Sequence, residues 1–300
     1  MGKVDEKEAF ALARTSWLDD AVALRGHMLK VLQRTSLETR LASREVLEGL
    51  LWSSVLLLVG RQRLDEGSNS SESEVRDEIC LILNKRSRSV RQAGDLCCPG
   101  GTVEPHIDPK LARILGLPGM HLRAWGAWKQ FRRQRPQEAR FLSLLLATCL
   151  RESWEEMRLN PLKMSFLGFL PNQRLRLYRR VIYPMVGWLR DQKRFVPSWE
   201  VDRIICIPIR TLFQEERYAR YRLHVPAELE AKFHRGTEDF PCFIHRYGDH
   251  TEVLWGATYK MVMTLIDRVF RFKPPDAASL PIVPGVLDEG YIFGWDRCER

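Results

Sequence analysis

Helix-type and strand-type apolar patterns alternate irregularly along this chain, without a strand–helix–strand rhythm, and that order points to an α+β sandwich. The segment "EKEAFALARTSWLDDAVALRGHMLKVL" repeats apolar residues at helical spacing, and a second helix is expected over roughly 36–50. Both are read as a cover on the main domain rather than an oligomerisation element, because amphipathic helices mostly shield cores. Ser54–Val59 and "EICLILNKRS" read as strands, joined through the polar stretch "RLDEGSNSSESEVRDE". A long helix is expected from about Gln137 to Met157, ending before Pro161 because the residue preceding proline disfavours the helical region. "KMSFLGFLP", "RRVIYPMVGWL" and "DRIICIPI" read as further strands, and "TEVLWGATYKMVMTLIDRVF" as a last long helix. The expected division is a helical extension over 1–50, a main domain over 51–273 with an insert at about 110–140, and a Pro-rich irregular tail over 274–300.

The formal charge of +9 favours polyanionic partners such as nucleotides and phosphorylated small molecules. The longest apolar run, Leu47 to Gly60, is too short and too interrupted by serine to span a bilayer, so no membrane partner is expected. The seven cysteines and a charged start without a signal-peptide core are read as free thiols in a reducing, cytoplasmic setting. Cys149 is read as a buried small apolar residue, and no histidine pair has zinc spacing.

Within "LATCLRESWEEMRLNP", Glu152, Glu155 and Glu156 stand at i, i+3 and i+4, so all three share one side of a helix. Such carboxylates repel one another unless solvated or neutralised by a cation, and a hard divalent ion takes carboxylate oxygens together with phosphate oxygens. Arg151 is placed to hold one carboxylate in a bidentate pair. The turn "CCPGG" permits close backbone approach to an ion or a phosphate. Upstream of it, "KRSRSVRQAG" sets Lys85, Arg86, Arg88 and Arg91 beside the turn as phosphate partners. Each motif alone is weak; their order and combination carry the signal.

That combination resembles the Nudix hydrolase signature: a glycine turn, a spacer, then Arg-Glu-x-x-Glu-Glu on a helix. "KRSRSVRQAGDLCCPGG" is further similar to the extra motif of the coenzyme A diphosphatase branch. The downstream order "LGFLP…YPMVGWL…VPSWEVDRIICIPI…LWGAT" follows the same branch, so the likeness covers about 53–270. The resemblance implies a Nudix-type α/β/α sandwich with a mixed sheet that hydrolyses nucleoside diphosphate derivatives with Mg2+ or Mn2+. It implies metal ligands at Glu152, Glu155, Glu156 and the Gly101 carbonyl, with Glu152 also orienting or deprotonating water. Arg151 would position a glutamate, Glu200 would supply a loop carboxylate or equally serve as a helix cap or turn residue, and Arg86, Ser87, Arg91 and Gly100 would bind substrate. The implied reaction splits coenzyme A or an acyl derivative into adenosine 3′,5′-bisphosphate and a 4′-phosphopantetheine species. The alternatives are another substrate (NADH, ADP-ribose or a dinucleoside polyphosphate), or an idle module that binds a nucleotide or RNA. Nucleic acid is disfavoured as a partner but stays open, as does a homodimer.

The chain departs from that pattern in several places. Arg158 replaces the glycine that ends the family helix, which is read as a helix running on to Leu159 and Asn160. Ser153 replaces an aliphatic residue, Cys98 an aromatic one, the Arg91–Gly94 gap is one residue short, and the spacer from Gly101 to Arg151 is far longer than the family's. The insert carries Trp125, Trp128 and Phe131 among Arg123, Lys129, Arg132, Arg133 and Arg135. A packing flap with core aromatics is preferred there to a lid that stacks on a base. Asp108 and His106 near the turn are read as turn-stabilising.

Overall fold

The computed structural model describes residues 16–41, 50–65, 75–175, 180–224, 237–286 and 291. Helix α1 (Ala21–Glu38) starts where Asp20 Oδ1 accepts the amides of Val22 and Ala23 at 2.9 and 3.0 Å, an N-cap that satisfies two otherwise orphaned donors. Ser36 to Glu38 complete this helix, and the second helix expected over 36–50 falls mostly on residues outside those described.

The central sheet is mixed. Strand β1 (Leu51–Asp65) pairs antiparallel with β2 (Val75–Arg86), bearing out the expected strand–loop–strand unit. Two short strands follow, β3 (Leu96–Cys97) on β2 and β4 (Gly100–Thr102) on β1. The insert and its neighbours form α2 (Asp108–Leu115), α3 (His121–Ala124), α4 (Trp128–Gln134) and the long α5 (Pro136–Met157). Strands β5 (Met164–Phe169) and β6 (Gln173–Leu175) pair with β7 (Arg180–Leu189), which runs parallel to β1. Strand β8 (Val201–Pro208) closes the other side against β2.

Alternation along β1 divides the core. Val55, Leu57 and Val59 join Leu24, Met28 and Leu32 of α1 and the apolar face of α6 (Gly256–Phe270). Leu56 and Leu58 face the opposite way, onto Leu142, Leu145 and Leu146 of α5. Helices therefore cover both faces of a mixed sheet, the expected α+β sandwich. The N-terminal helix is part of this core: Trp17 stacks on His27 at 3.8 Å, and His27 Nε2 bonds the Val269 carbonyl of α6 at 2.8 Å.

Two expectations are corrected at the C-terminal end. Thr251–Leu254 belong to a strand rather than the last helix, which begins at Gly256; Glu252 and Leu254 are buried while Thr251 is exposed, a strand alternation. The tail is not wholly irregular, because β12 (Ile282–Val286) runs parallel to β9 (Tyr218–His224). With β10 (Thr237–Tyr247) and β11 (His250–Leu254) they form a second, four-stranded sheet in the order β11-β10-β9-β12. Pro284 is tolerated because β12 is an edge strand.

α1 lies against β5 at Gly168, whose φ of 150° is open to glycine and where a Cβ would stand 2.8 Å from the Leu32 carbonyl oxygen. Ser36 Oγ accepts the adjacent Phe169 amide at 2.9 Å. Gly168→Ala is therefore expected to cost about 2–3 kcal/mol and to lower Tm by several degrees, read by calorimetry.

Candidate active site

The three glutamates sit in the last two turns of α5, and the helix delivers them to different surroundings. Glu155 is half exposed at the solvent edge. Glu152 lies against the β4 turn, so close that a Cβ on Gly101 would come within 2.3 Å of Glu152 Oε1; any side chain there would displace the Glu152 carboxylate. Glu156 points under the sheet edge, where Asn84 Nδ2 donates to its Oε2 at 2.6 Å.

Arg151 organises this end of the helix. Its Nε and Nη2 form a bidentate pair with Asp108 at 2.7 and 3.2 Å. Single bonds run from Nη2 to Glu152 at 3.0 Å, from Nη1 to Glu155 at 2.8 Å and from Nη2 to the Thr102 carbonyl at 3.0 Å. The expected bidentate glutamate partner is thus corrected: the fork is filled by Asp108, which is fully buried. Asp108 also accepts from the Glu104 amide and from Thr148 Oγ1, both at 2.8 Å, so it adds the turn bond foreseen for it to an ion pair that was not. Burial works against the Arg151 charge, but its hydrogen bond to Asp108 and the fields of Glu152 and Asp108 outweigh this and raise its pKa.

At Glu152 and Glu156 burial outweighs the basic neighbours. Burial chiefly raises the Glu152 pKa, against the pull of Arg151. For Glu156, burial and then the negative field of Glu152 raise it to about 8, with Glu200 adding to the effect and Arg86 and Asn84 opposing it. Glu200 is therefore electrostatically coupled to both helix glutamates, and its carbonyl accepts the Ser87 amide at 2.9 Å. Ser198 N donates to the Glu156 carbonyl at 2.8 Å, which ties the 190–200 loop to the helix.

The other site residues foreseen from the sequence fall into two groups. Arg86, at the end of β2, reaches Glu156 through its field and donates from Nε to the Arg91 carbonyl at 2.7 Å. Arg91 acts instead on Arg180, whose pKa burial and the fields of Arg86 and Arg91 lower. The Ser87 hydroxyl oxygen and Asn84 Oδ1 are buried and, among the described residues, have no hydrogen-bond partner. Gly100 has φ 148°, and a Cβ there would meet the Ser54 carbonyl oxygen at 2.3 Å. The loop holding Arg91 is braced by Asp95, which accepts from Tyr291 OH at 2.6 Å and Trp255 Nε1 at 2.9 Å. Asn84 and Asp95 were missed; the only sequence signal for Asn84 is a polar residue in the apolar run "ICLILN".

Arg158 corrects a boundary. The helix does not run on to Asn160; Arg158 itself adopts the left-handed conformation at φ 55° and ψ 37°, and Leu159 N bonds back to the Ser153 carbonyl at 3.2 Å. Its guanidinium lies 5.2 Å from the Trp154 ring centroid. Trp125, Trp128 and Phe131 of the insert are buried, with Trp125 Nε1 donating to the Leu167 carbonyl at 3.0 Å, so these rings pack in the core and stack on no ligand. Cys149 is buried, and burial pushes its thiol up to about 12.

Carboxylate and amide oxygens are the donors a hard divalent ion takes, and the raised pKa values of Glu152 and Glu156 mark charge that such an ion would neutralise. Among the described residues, no three His, Cys, Asp or Glu side chains converge into a preformed cage, so Glu152 and Glu155 would turn partly away from Arg151 to share an ion.

No protein-family model and no curated protein sequence matches the chain. It is similar to several solved structures. One is a Nudix hydrolase from M. smegmatis, at 12% identity over 54% of this chain and 73% of that one, with a TM-score of 0.31. A second is a C. elegans Ap4A hydrolase, at 10% identity over 54% and 83%, with a TM-score of 0.30. A third is a Nudix hydrolase from Alicyclobacillus acidocaldarius, at 13% identity over 55% and 82%, with a TM-score of 0.33. At TM-scores this low the likeness establishes neither family nor activity, and the reading below rests on the residues.

Glu156 yields a prediction without metal. A carboxyl whose folded pKa is raised from 4.5 to about 8 stabilises the fold fully below pH 4.5 and loses that contribution as pH rises through 8. In chelator-treated buffer, Glu156→Gln is expected to match the parent near pH 4.5 and to exceed it by about 2–4 kcal/mol at pH 9. Urea titrations at both pH values check this.

Proposed function

We propose that the chain is a divalent-metal-dependent pyrophosphohydrolase of Nudix type that acts on a nucleoside diphosphate derivative. The observation that carries this reading is the meeting of Glu152 and Glu156, both with raised pKa, against Gly101 on one side and the field of Arg86 on the other. Acidic groups and a basic one thus act on one another at the end of α5, the charge pattern that a metal-neutralised diphosphate calls for.

Mg2+ or Mn2+ bound by Glu152, Glu155, Glu156 and the Gly101 carbonyl would neutralise charge on the diphosphate and acidify an attacking water. Glu152, its rotamer set by Arg151, would be the carboxylate placed to orient water or accept a proton, and Glu200 would supply a further carboxylate from the loop. Arg86, Ser87, Arg91 and Gly100 would bind the substrate. Coenzyme A or an acyl derivative is the substrate that the 85–101 motif favours, giving adenosine 3′,5′-bisphosphate and a 4′-phosphopantetheine species. A homodimer is compatible with this reading.

A second reading, ligand binding without turnover, is favoured by one observation: Glu152 and Glu155 are held by Arg151 rather than gathered into a cage. A hydrolysis screen separates the two. Coenzyme A, NADH, ADP-ribose and a dinucleoside polyphosphate are incubated with Mg2+ or Mn2+, and products are identified by mass spectrometry. The proposal expects cleavage of at least one, strongest for coenzyme A, and a loss of about 10²–10⁴-fold in kcat for Glu152→Gln with its far-UV spectrum unchanged. Unchanged turnover in that variant would overturn the mechanism, and no turnover by the parent would leave the binding reading.

A further inference from the structure

On the flank of the sandwich, α1, the insert, β5 and the end of β7 enclose a cavity of about 220 Å3. Arg25 of α1 and Arg190, just beyond β7, both line it, together with His121, Ser165, Leu29 and Phe166. We propose that this cavity is a binding site for a small organic anion, its phosphate or carboxylate held between the two guanidiniums and its apolar body resting on Leu29 and Phe166.

Charge is the first reason. No carboxylate lines the cavity, and among the described residues neither Arg25 nor Arg190 makes an ion pair. Two guanidiniums facing one concavity repel each other and attract an anion, and a planar fork suits both phosphate and carboxylate. Burial lowers the His121 pKa, with the field of Arg190 adding to this and the hydrogen bond to the Pro161 carbonyl opposing it. The second reason is prior anchoring. Arg190 Nη2 donates to the Leu162 carbonyl, its amide to the Lys163 carbonyl at 2.8 Å, and His121 Nε2 bonds the Pro161 carbonyl at 2.8 Å. Arg25 Nη2 rests 3.5 Å from Ser165 Oγ, a contact weak enough to exchange for a ligand. The third is size. Pockets for drug-sized ligands measure roughly 300–1,000 Å3, so this smaller cavity suits a compact anion rather than a dinucleotide.

The site uses α1 and residues 119–124 of the insert, none of which is among the candidate catalytic, metal or substrate residues, and it does not depend on the hydrolase reading. The 161–163 turn on which it rests follows the α5 helix end, five residues beyond Glu156.

Isothermal titration of the full chain in EDTA with phenyl phosphate, phenylacetate and inorganic phosphate tests the proposal. Saturable binding of an aromatic anion, tighter than that of inorganic phosphate, is expected, and the better of the two identifies the head group. Arg25→Gln and Arg190→Gln should each weaken it by about tenfold or more, as loss of a charge-assisted bond does, with Arg25→Lys recovering part. Arg86→Gln, at the glutamate cluster, should leave it unchanged. Arg25 is exposed on its helix, so its variant carries the test even if Arg190→Gln weakens the fold. Absence of saturable binding, binding indifferent to Arg25, or binding abolished by Arg86→Gln would each overturn the proposal.

Discussion

A buried guanidinium is costly unless its charge and donors are met, and the Arg151 side chain is only 10% exposed. Its partners come from three parts of the chain: Asp108 at the start of α2, Glu152 and Glu155 on α5, and the Thr102 carbonyl beyond the glycine turn. One side chain thereby fixes the end of the long helix against β4 and the insert. The Glu152 rotamer follows from it, and so does the close contact of that carboxylate with Gly101. Glu156 lies outside the reach of this clamp; burial leaves its charge uncompensated, and Asn84 supplies only a neutral donor.

Much of this site was legible in the sequence because it is local. "RESWEEM" places three carboxylates on one helix side by spacing alone, and "PGG" marks a backbone able to approach them. Asp108 was legible only as a turn residue, since nothing in a sequence reports that it meets Arg151 43 positions away. Asn84 hides in an apolar strand for the same reason. Arg158 was misplaced because left-handed caps favour glycine or asparagine, and the contact with Trp154 that accompanies the exception is a three-dimensional one.

The fold divides similarly. Long apolar runs gave β1, β2, β5, β7 and the helices, because both sheet faces are covered. The second sheet was lost: β9 and β10 mix arginine, histidine, aspartate and proline with their apolar residues, and their pairing depends on contacts distant in sequence. The tail read as irregular because proline breaks strand patterns, yet an edge position removes the objection. Its return matters for the site, since Tyr291 braces Asp95 and, through the Gln92 amide, the loop that carries Arg91. The insert's tryptophans belong to the core, which leaves Arg123, Lys129, Arg132 and Arg133 as a solvated rim, while Arg135 is mostly covered and donates to the Leu37 and Thr39 carbonyls.

The account turns on whether the α5 glutamates take up a divalent ion. Electron paramagnetic resonance of free Mn2+ measures this directly in the full chain. The prediction is that adding protein removes the free-ion signal with saturable stoichiometry, and that Glu152→Gln and Glu156→Gln each weaken uptake on the order of tenfold or more. A free-ion signal unaffected by the protein at millimolar Mn2+, or uptake indifferent to both substitutions, would contradict it.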